Sequence, residues 1–328
     1  MVTNIMNMEF EHLSVLVTGG AGFIGSHIVE YLLNHGVKFV RILDNLSTGS
    51  KINIQPFLEN FSNVEFFWGD ITNLETCRKA CKNISVICHQ AALGSVPRSI
   101  DNPLNSHDVN VNGFINILIA AKENDIKRIV YASSSSIYGS NDKPIKNENE
   151  IGEPLSPYAV TKYVCELYAN IFTKIYSMEC IGLRYFNVFG PRQNPDGAYA
   201  AVIPKFIKLV INNKSPMING DGTYSRDFTY VDNVVYANML ALTTKNNQCF
   251  GQSFNVGTNN NVSINQLFGL IKKLVNNDDC TANYGPIRHG DVPYSNASID
   301  KISSLLGYQP KIFFDDGLKK TVEYFTKL

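Results

Sequence analysis

The chain has 328 residues, and its 29 lysines and arginines balance 29 aspartates and glutamates. This length can bury a large core in two joined lobes, and the balanced charge argues against nucleic acid as a partner. No apolar run reaches the roughly 18 residues of a membrane span, and residues 1–9 do not resemble a signal peptide. Seven scattered cysteines without a C-x-x-C pair and six histidines without metal-ligand spacing predict a reduced, cytoplasmic protein without a metal site.

Apolar runs alternate with segments of helical period from residue 13 to about residue 190. The predicted strands cover 13–18, 38–44, 64–69, 84–90, 127–133 and 180–186. Between them lie predicted helices at 23–35, 73–82, 105–123 and 157–176. Such alternation is typical of the α/β class and predicts a doubly wound parallel Rossmann sheet with crossover helices.

The composition of the chain changes after Pro191, where loops rich in glycine, proline and asparagine begin. Helices are predicted at 199–212, 231–244 and 262–276, and residues 254–256 look like one more strand of the first sheet. We therefore expect a smaller, interleaved C-terminal α+β lobe. The Rossmann domain is predicted to comprise 1–188 plus about 229–258, and the second domain about 189–228 plus 259–328.

A glycine-rich turn follows the first predicted strand. Gly19, Gly22 and Gly25 let the strand turn sharply, let backbone amides approach a pyrophosphate and let the next helix pack closely. The N-terminus of that helix offers free N–H groups to phosphate. The spacing G-x-x-G-x-x-G differs from the commonest dehydrogenase fingerprint, and ordinary turn chemistry is the alternative.

Two acids end the next two predicted strands. Asp44 can accept hydrogen bonds from a ribose diol and would repel a 2′-phosphate, which favours NAD over NADP. The alternative is a turn aspartate before Asn45. Asp70 is expected beside the adenine.

Tyr158 and Lys162 form a Tyr-x-x-x-Lys pair on one face of the predicted helix 157–176. A lysine ammonium near a phenol, together with a positive nicotinamide ring, favours the phenolate and lowers a pKa that starts near 10. The pair could therefore exchange a proton with a sugar hydroxyl. The alternative is a solvated pair on an amphipathic helix. Glu166 is expected to be a solvated partner of Lys162.

Four serines, Ser133 to Ser136, follow the predicted strand 127–133. Strand ends of such sheets face the ligand crevice, so a hydroxyl here would meet the reacting group. An ordinary polar loop is the alternative.

Together these features resemble the extended short-chain dehydrogenase/reductase family, specifically its NAD-dependent nucleotide-sugar 4-epimerases. The segments 91–98, 183–190 and 197–204 closely resemble bacterial UDP-N-acetylglucosamine 4-epimerases of surface-polysaccharide synthesis, some of which act on the uronic acid form. The resemblance implies an isomerase with tightly bound NAD, a UDP-sugar substrate, and a homodimer packed through the helices 105–123 and 157–176. The first domain would bind NAD and the second the UDP-sugar.

By that resemblance, Tyr158 is the proton acceptor, Ser134 its hydroxyl partner, and Lys162 a ligand of the nicotinamide ribose. The implied cofactor-binding residues are Gly19, Gly22, Phe23, Ile24, Gly25, Asp44, Asn45, Gly49, Asp70, Ile71, Ala91, Ala92, Asn110, Tyr158, Lys162 and Tyr185. The implied substrate-binding residues are Gly94, Ser95, Ser134, Ser135, Ser136, Tyr158, Asn187, Gln193, Ala201, Val202, Arg226, Arg288, Asp291 and Ser295.

Planar guanidinium groups match the charge of a diphosphate well, so Arg226 and Arg288 are expected to hold it. Asp291 is implied at the uridine ribose. Surface salt bridges are the alternative for both arginines.

Two differences between this sequence and related enzymes indicate which member of the family it resembles most. Related 4,6-dehydratases and UDP-glucuronate decarboxylases carry an acid after the catalytic hydroxyl, whereas Ser135 and Ser136 stand there. Ser295 replaces a bulky tyrosine of epimerases restricted to non-acetylated sugars and leaves room for an acetamido group.

We therefore expect C4 epimerisation of UDP-N-acetylglucosamine, or of the corresponding uronic acid, through a 4-keto sugar. Arg98 lies near the expected pocket, where it either recognises the carboxylate of a uronic acid or points to solvent. The choice between the neutral and the uronic sugar is therefore open. A decarboxylase or dehydratase of the same architecture and a silent NAD-binding scaffold are the alternatives.

Overall fold

Seven parallel strands form one sheet in the computed structural model, which describes residues 10–196, 200–287 and 293–327. The strands are β1 (Ser14–Thr18), β2 (Phe39–Asp44), β3 (Val64–Trp68), β4 (Val86–His89), β5 (Arg128–Ser134), β6 (Glu179–Tyr185) and β7 (Gln252–Val256). Their order across the sheet is β7-β6-β5-β4-β1-β2-β3. The predicted Rossmann sheet is confirmed, with each crossover returning the chain to the same direction.

The helices are α1 (Phe23–Asn34), α2 (Gln55–Asn60), α3 (Leu74–Ala80), α4 (Val96–Asp101), α5 (Pro103–His107), α6 (Gly113–Glu123), α7 (Pro157–Tyr176), α8 (Val202–Ile211), α9 (Val231–Thr243), α10 (Ile264–Val275), α11 (Asp300–Leu306) and α12 (Phe314–Thr326). The sequence reading did not identify α2, α4, α11 or α12. Three of these four have seven residues or fewer. Such short segments carry little helical periodicity.

Both faces of the sheet are covered by helices. Val15 and Val17 of β1 pack in a cluster with α1 and α9, whereas Leu16 packs in a second cluster with α3, α6 and α7. Successive side chains of a strand point to opposite faces, so one strand contributes to two cores. This explains why β1 is apolar at nearly every position.

The predicted helix 105–123 is divided. A five-residue π-helical turn, Asp108–Asn112, joins α5 to α6. Asn102 accepts a hydrogen bond from the backbone N–H of Asn105 and starts α5. The wide turn places Asn110 inside the protein, where it is 2% exposed.

A separate apolar cluster joins α8, α10 and α12 to Phe189, Phe228 and Tyr230. Beside it, a four-stranded sheet has the order Val262–Ser263, Ser225–Arg226, Tyr294–Ala297 and Ile145–Lys146. The second lobe thus takes a strand from the region between β5 and α7, which was not expected. The exact domain boundaries stay a prediction. Within the described ranges, none of the helices is long and apolar enough to cross a membrane.

Candidate functional site

A cavity of about 270 Å³, here called the cofactor cavity, opens at the carboxyl ends of the strands. Of the predicted cofactor residues, its walls contain Gly19, Gly22, Phe23, Ile24, Gly25, Asp44, Asn45, Asp70, Ile71, Ala91, Ala92, Tyr158, Lys162 and Tyr185. Ligands of open α/β sheets bind at this edge. The structure therefore brings most of the predicted set together.

The glycine turn is a cradle that side chains would fill. Gly19 has a φ of +67°, and a Cβ there would lie 2.7 Å from the backbone nitrogen of Ala91. A Cβ on Gly25 would lie 2.1 Å from the carbonyl oxygen of Gly19. α1 begins at this turn without a side-chain cap, so its first N–H groups face the cavity as an anion site.

Asp44 at the end of β2 and Asp70 just after β3 have different environments. The carboxylate of Asp44 accepts hydrogen bonds from the N–H groups of Ala21 (3.0 Å) and Leu46 (2.8 Å), and burial raises its pKa. Burial also opposes ionisation of Asp70, but hydrogen bonds from Thr72 and Asn45 outweigh it and lower the pKa of this carboxyl. Two carboxylates here fit a ribose diol and disfavour an additional phosphate.

Tyr158 and Lys162 lie in the first turns of α7 and line the cofactor cavity. Ser156 caps the helix by accepting a hydrogen bond from Ala159, and the N–H of Tyr158 donates to Ser99 Oγ over 3.0 Å. Lys162 is 4% exposed, and its Nζ donates to the carbonyl of Ala132 over 2.8 Å. The ammonium is thus fixed beneath the cavity.

A second cavity of about 510 Å³ adjoins the first. It is here called the sugar cavity, after the substrate that the sequence resemblance implies. Its walls include Gly94, Ser95, Ser134, Ser135, Ser136, Tyr158, Asn187, Gln193, Arg226 and Ser295. Tyr158 lies in the walls of both cavities. Ser134 Oγ accepts hydrogen bonds from the backbone N–H and the hydroxyl of Ser136, so its own hydrogen remains able to donate.

A third cavity of about 360 Å³ extends into the second lobe. It shares Gly94, Ser95, Asn187, Gln193 and Arg226 with the sugar cavity and adds the predicted residues Ala201 and Val202. One continuous path therefore runs from the sheet edge into the second lobe.

Some predicted residues lie elsewhere. The amide of Asn110 bonds both backbone groups of Leu93 and the hydroxyl of Thr161, so it holds the wall of the cavity from behind. Gly49 lies beside Asp44, and a Cβ there would approach that carboxylate to 3.0 Å. Arg288 and Asp291 are outside the described residues. Arg98 lies on α4 and, within the described ranges, is not among the residues that line the sugar cavity.

The expectation for Glu166 was wrong. This side chain is 8% exposed and forms an ion pair with Arg184 of β6. Spacing within α7 suggested a solvated partner for Lys162, but the helix packs this face on the sheet. Sequence reasoning also missed Gln90, which lines the cofactor cavity and accepts a hydrogen bond from the hydroxyl of Tyr185. Its place at the end of the predicted strand 84–90 was the available signal.

The model of the NAD dependent epimerase/dehydratase family matches residues 15–257. The chain belongs to this family. The predicted family, its NAD cofactor and its enzymatic role are thereby confirmed. The cavity fits the cofactor, because the glycine cradle, the uncapped helix N-terminus and the two carboxylates supply what a dinucleotide requires.

Curated relatives of this NAD-dependent family member are named for activity on different sugars. A UDP-glucose 4-epimerase of Mycolicibacterium smegmatis is 36% identical over 95% of this chain and 98% of its own length. A UDP-glucuronate 4-epimerase of Thermodesulfobacterium geofontis is 34% identical over 94% of this chain and 95% of its own.

The similar solved structures are also named for different sugars, and for different reactions. A UDP-N-acetylglucosamine 4-epimerase of Methanobrevibacter ruminantium, in complex with UDP-N-acetylmuramic acid, is 38% identical, with a TM-score of 0.90 over 96% of this chain and 98% of that one. A dTDP-glucose 4,6-dehydratase of Streptomyces venezuelae is 29% identical, with a TM-score of 0.89 over 96% and 97%.

Proposed function

We propose that the protein interconverts UDP-N-acetylglucosamine and UDP-N-acetylgalactosamine by inverting C4 of the sugar. The observation that carries this proposal is the place of Tyr158 in the walls of both the cofactor cavity and the sugar cavity. A phenol at that junction can reach a sugar hydroxyl beside the dinucleotide. NAD, when bound, supplies a reversible hydride acceptor next to C4.

The chain's own residues handle the proton. Ser134 can receive the proton of the sugar 4-hydroxyl while it donates its own hydroxyl proton to Tyr158. Tyr158 is the base that accepts it. Lys162 stands one turn along α7, and its buried ammonium lines the cofactor cavity, where it can bind the nicotinamide ribose. The same groups return the proton when the 4-keto sugar is reduced on its other face.

Inversion requires a fixed nucleotide and a mobile hexose. Arg226 lines both the sugar cavity and the third cavity, where its guanidinium suits a diphosphate. Among the described residues the space beside Gly94 is open, because a Cβ there would meet none of their atoms within 4 Å. The sugar can therefore turn while the diphosphate stays anchored.

Two features of the sugar cavity favour an acetamido group. Ser295 is 8% exposed and pairs with Arg226 on the neighbouring strand, whereas Tyr294 beside it is 48% exposed and faces solvent. The carbonyl oxygen Oε1 of Gln193 is buried without a hydrogen-bond partner in the described part of the chain. A buried acceptor without a partner favours a ligand that brings a hydrogen-bond donor, and the acetamido N–H is one such donor.

The lining of the sugar cavity disfavours elimination or decarboxylation. No aspartate or glutamate stands among the described residues that form its walls, and Ser135 and Ser136 occupy the places of the acids in the related enzymes. For its proton transfers, epimerisation needs only the hydroxyl and phenol groups that are present.

The test is to incubate the purified protein, without added NAD, with UDP-glucose, UDP-N-acetylglucosamine and the uronic form of each. We expect the acetamido sugar to be epimerised fastest. Preference for a uronic acid would revise the substrate, and a failure to epimerise any of the four would reject the activity. Release of carbon dioxide or loss of water would indicate the alternative reactions.

We also propose that the protein is a homodimer packed through α7. This helix exposes an apolar stripe with helical spacing, formed by Val160 (46% exposed), Leu167 (49%), Ile171 (47%) and Ile175 (63%). An exposed contiguous apolar patch of this kind is typical of an interaction surface. A second copy of the same helix would cover it symmetrically.

A further inference from the structure

A buried ionic cluster lies directly behind the serine run. We call Ser133, Glu166 and Arg184 the β5–α7 clamp. Arg184 Nε and Nη2 donate to the two carboxylate oxygens of Glu166 over 2.9 Å and 2.8 Å, and Ser133 Oγ donates to Glu166 Oε1 over 2.5 Å. Bonds to a charged acceptor with fork geometry are strong and directional.

The clamp continues the stripe of α7 that carries the proposed catalytic pair. Tyr158, Lys162 and Glu166 follow one another at intervals of four residues and share a helix face. Lys162 bonds the carbonyl of Ala132, and Glu166 bonds the hydroxyl of Ser133. The two residues of β5 before Ser134 are thus both tied to the helix of Tyr158.

Arg184 also holds Tyr138, two residues after the serine run. Its Nη1 donates to the hydroxyl of Tyr138 over 3.0 Å and to the carbonyl of Glu148 over 2.9 Å. Tyr138 ends the short helix that starts after Ser134, and its hydroxyl donates to Asn255 Oδ1 over 2.6 Å. One guanidinium therefore anchors both ends of the segment 133–138, which lines the sugar cavity.

Stability alone does not account for this arrangement. A buried ion pair can often be replaced by apolar side chains of similar volume without loss of stability. What an apolar cluster lacks is the directional tie from Glu166 to Ser133 and from Arg184 to Tyr138.

We propose that Glu166 and Arg184 are positioning residues that hold the serine run in register with Tyr158. They act through Ser133 and Tyr138, and neither is among the described residues that line the three cavities. This inference rests on the proposed function, because it assigns the register that proton transfer between Ser134 and Tyr158 requires.

The test uses Ser133→Ala, which cuts the tie and leaves the ion pair in place. We expect kcat to fall about 10-fold to 100-fold, since a small misplacement near the chemistry has effects of that size. The KM for the UDP-sugar is expected to change by less than about twofold, because the proposed diphosphate anchor, Arg226, is unchanged. The isotope effect of deuterium at C4 is expected to rise as hydride transfer becomes slower.

Two further variants make the result specific. Ser133→Thr keeps a hydroxyl and should restore kcat, whereas Arg184→Lys keeps the charge but loses the fork and should lower it. Thr173→Ala is the matched control, since it removes a hydroxyl bond to Ala169 on the same helix. Wild-type kcat in Ser133→Ala, or an equal loss in Thr173→Ala, would overturn the proposal.

Amide hydrogen exchange separates this inference from the proposed function. The clamp predicts faster exchange in the segment 133–138 of Ser133→Ala than in Thr173→Ala, with or without a known substrate. A wild-type protein that converts no UDP-sugar would reject the activity, and unchanged exchange in Ser133→Ala would reject the clamp.

Discussion

Tyr158 stands where the two cavities meet, and its surroundings explain how a phenol could serve there as a base. Its backbone N–H is held by Ser99 and the ammonium of Lys162 by Ala132, so both side chains start from a rigid helix turn. Positioning of this kind matters more than reactivity alone, because proton transfer needs a short, aligned contact.

Tyr158→Phe tests this role directly. We expect kcat to fall by about 10²-fold to 10⁴-fold, the usual contribution of a general acid–base group, while NAD remains bound. Initial rates and the NAD content of the purified variant measure the two effects. Tyr163→Phe, on the same helix and outside the described cavity linings, is the matched control and should keep wild-type activity.

Two buried histidines make stability depend on pH. Burial, with a contribution from Arg192, lowers the pKa of His27 to about 3, and burial with Lys162 lowers that of His89 to about 3. His27 is neutral, since it donates from Nε2 to Pro191 and accepts at Nδ1 from Arg192.

Below pH 6.5 the unfolded chain binds a proton at each of these histidines and the native protein does not. The free energy of unfolding should therefore fall with falling pH, by about 1.4 kcal/mol per pH unit for each histidine. Urea unfolding between pH 6.5 and 5 measures the slope. His27→Gln should lower the slope of the unfolding free energy against pH by the contribution of one proton. His107→Gln, at an exposed histidine, is the control and should leave the slope unchanged. Equal slopes in the wild type and both variants would refute the assignment.

At the level of elements, the turn between β1 and α1 depends on close backbone contact. Gly25→Ala would place its Cβ 2.1 Å from the carbonyl oxygen of Gly19. We expect a loss of about 1–3 kcal/mol in the free energy of unfolding, from overpacking against backbone, together with weaker NAD retention.

Gly269→Ala is the matched control for that turn. It lies inside α10, where a Cβ would meet no atom of the described ranges within 4 Å. Alanine there should stabilise the protein by roughly 0.5–1 kcal/mol, because glycine loses more entropy in a helix. Thermal unfolding and NAD content of both variants decide the point; equal effects would contradict the close-contact account.

The elements also indicate what sequence could predict. The strands of the seven-stranded sheet and the long helices α1, α6, α7, α8, α9 and α10 were predictable because their periodicity reflects packing, whereas the 13-residue α12 was missed. Tyr158 and Lys162 follow from spacing within one helix. The burial of Glu166 was not, because its partner Arg184 arrives on another strand. Likewise the π-helical turn that buries Asn110 depends on contacts with Leu93 and Thr161 that no local pattern records.

At the scale of the whole molecule, the proposed dimer depends on the apolar stripe of α7. Leu167→Glu should place a charge in that interface and shift the protein toward the monomer, because burying an unpaired charge is costly. Sedimentation velocity measures the state. Ile52→Glu, at a side chain that is 83% exposed elsewhere, is the control; an unchanged dimer in Leu167→Glu would exclude this interface.

The central claim is that one hydrogen leaves C4 of a UDP-sugar and returns to the opposite face within the joined cavities. The most direct measurement uses UDP-N-acetylglucosamine carrying deuterium at C4, incubated with the purified protein without added NAD. We predict UDP-N-acetylgalactosamine that retains the deuterium at C4. A product with solvent hydrogen at C4, or no inverted product at all, would contradict it.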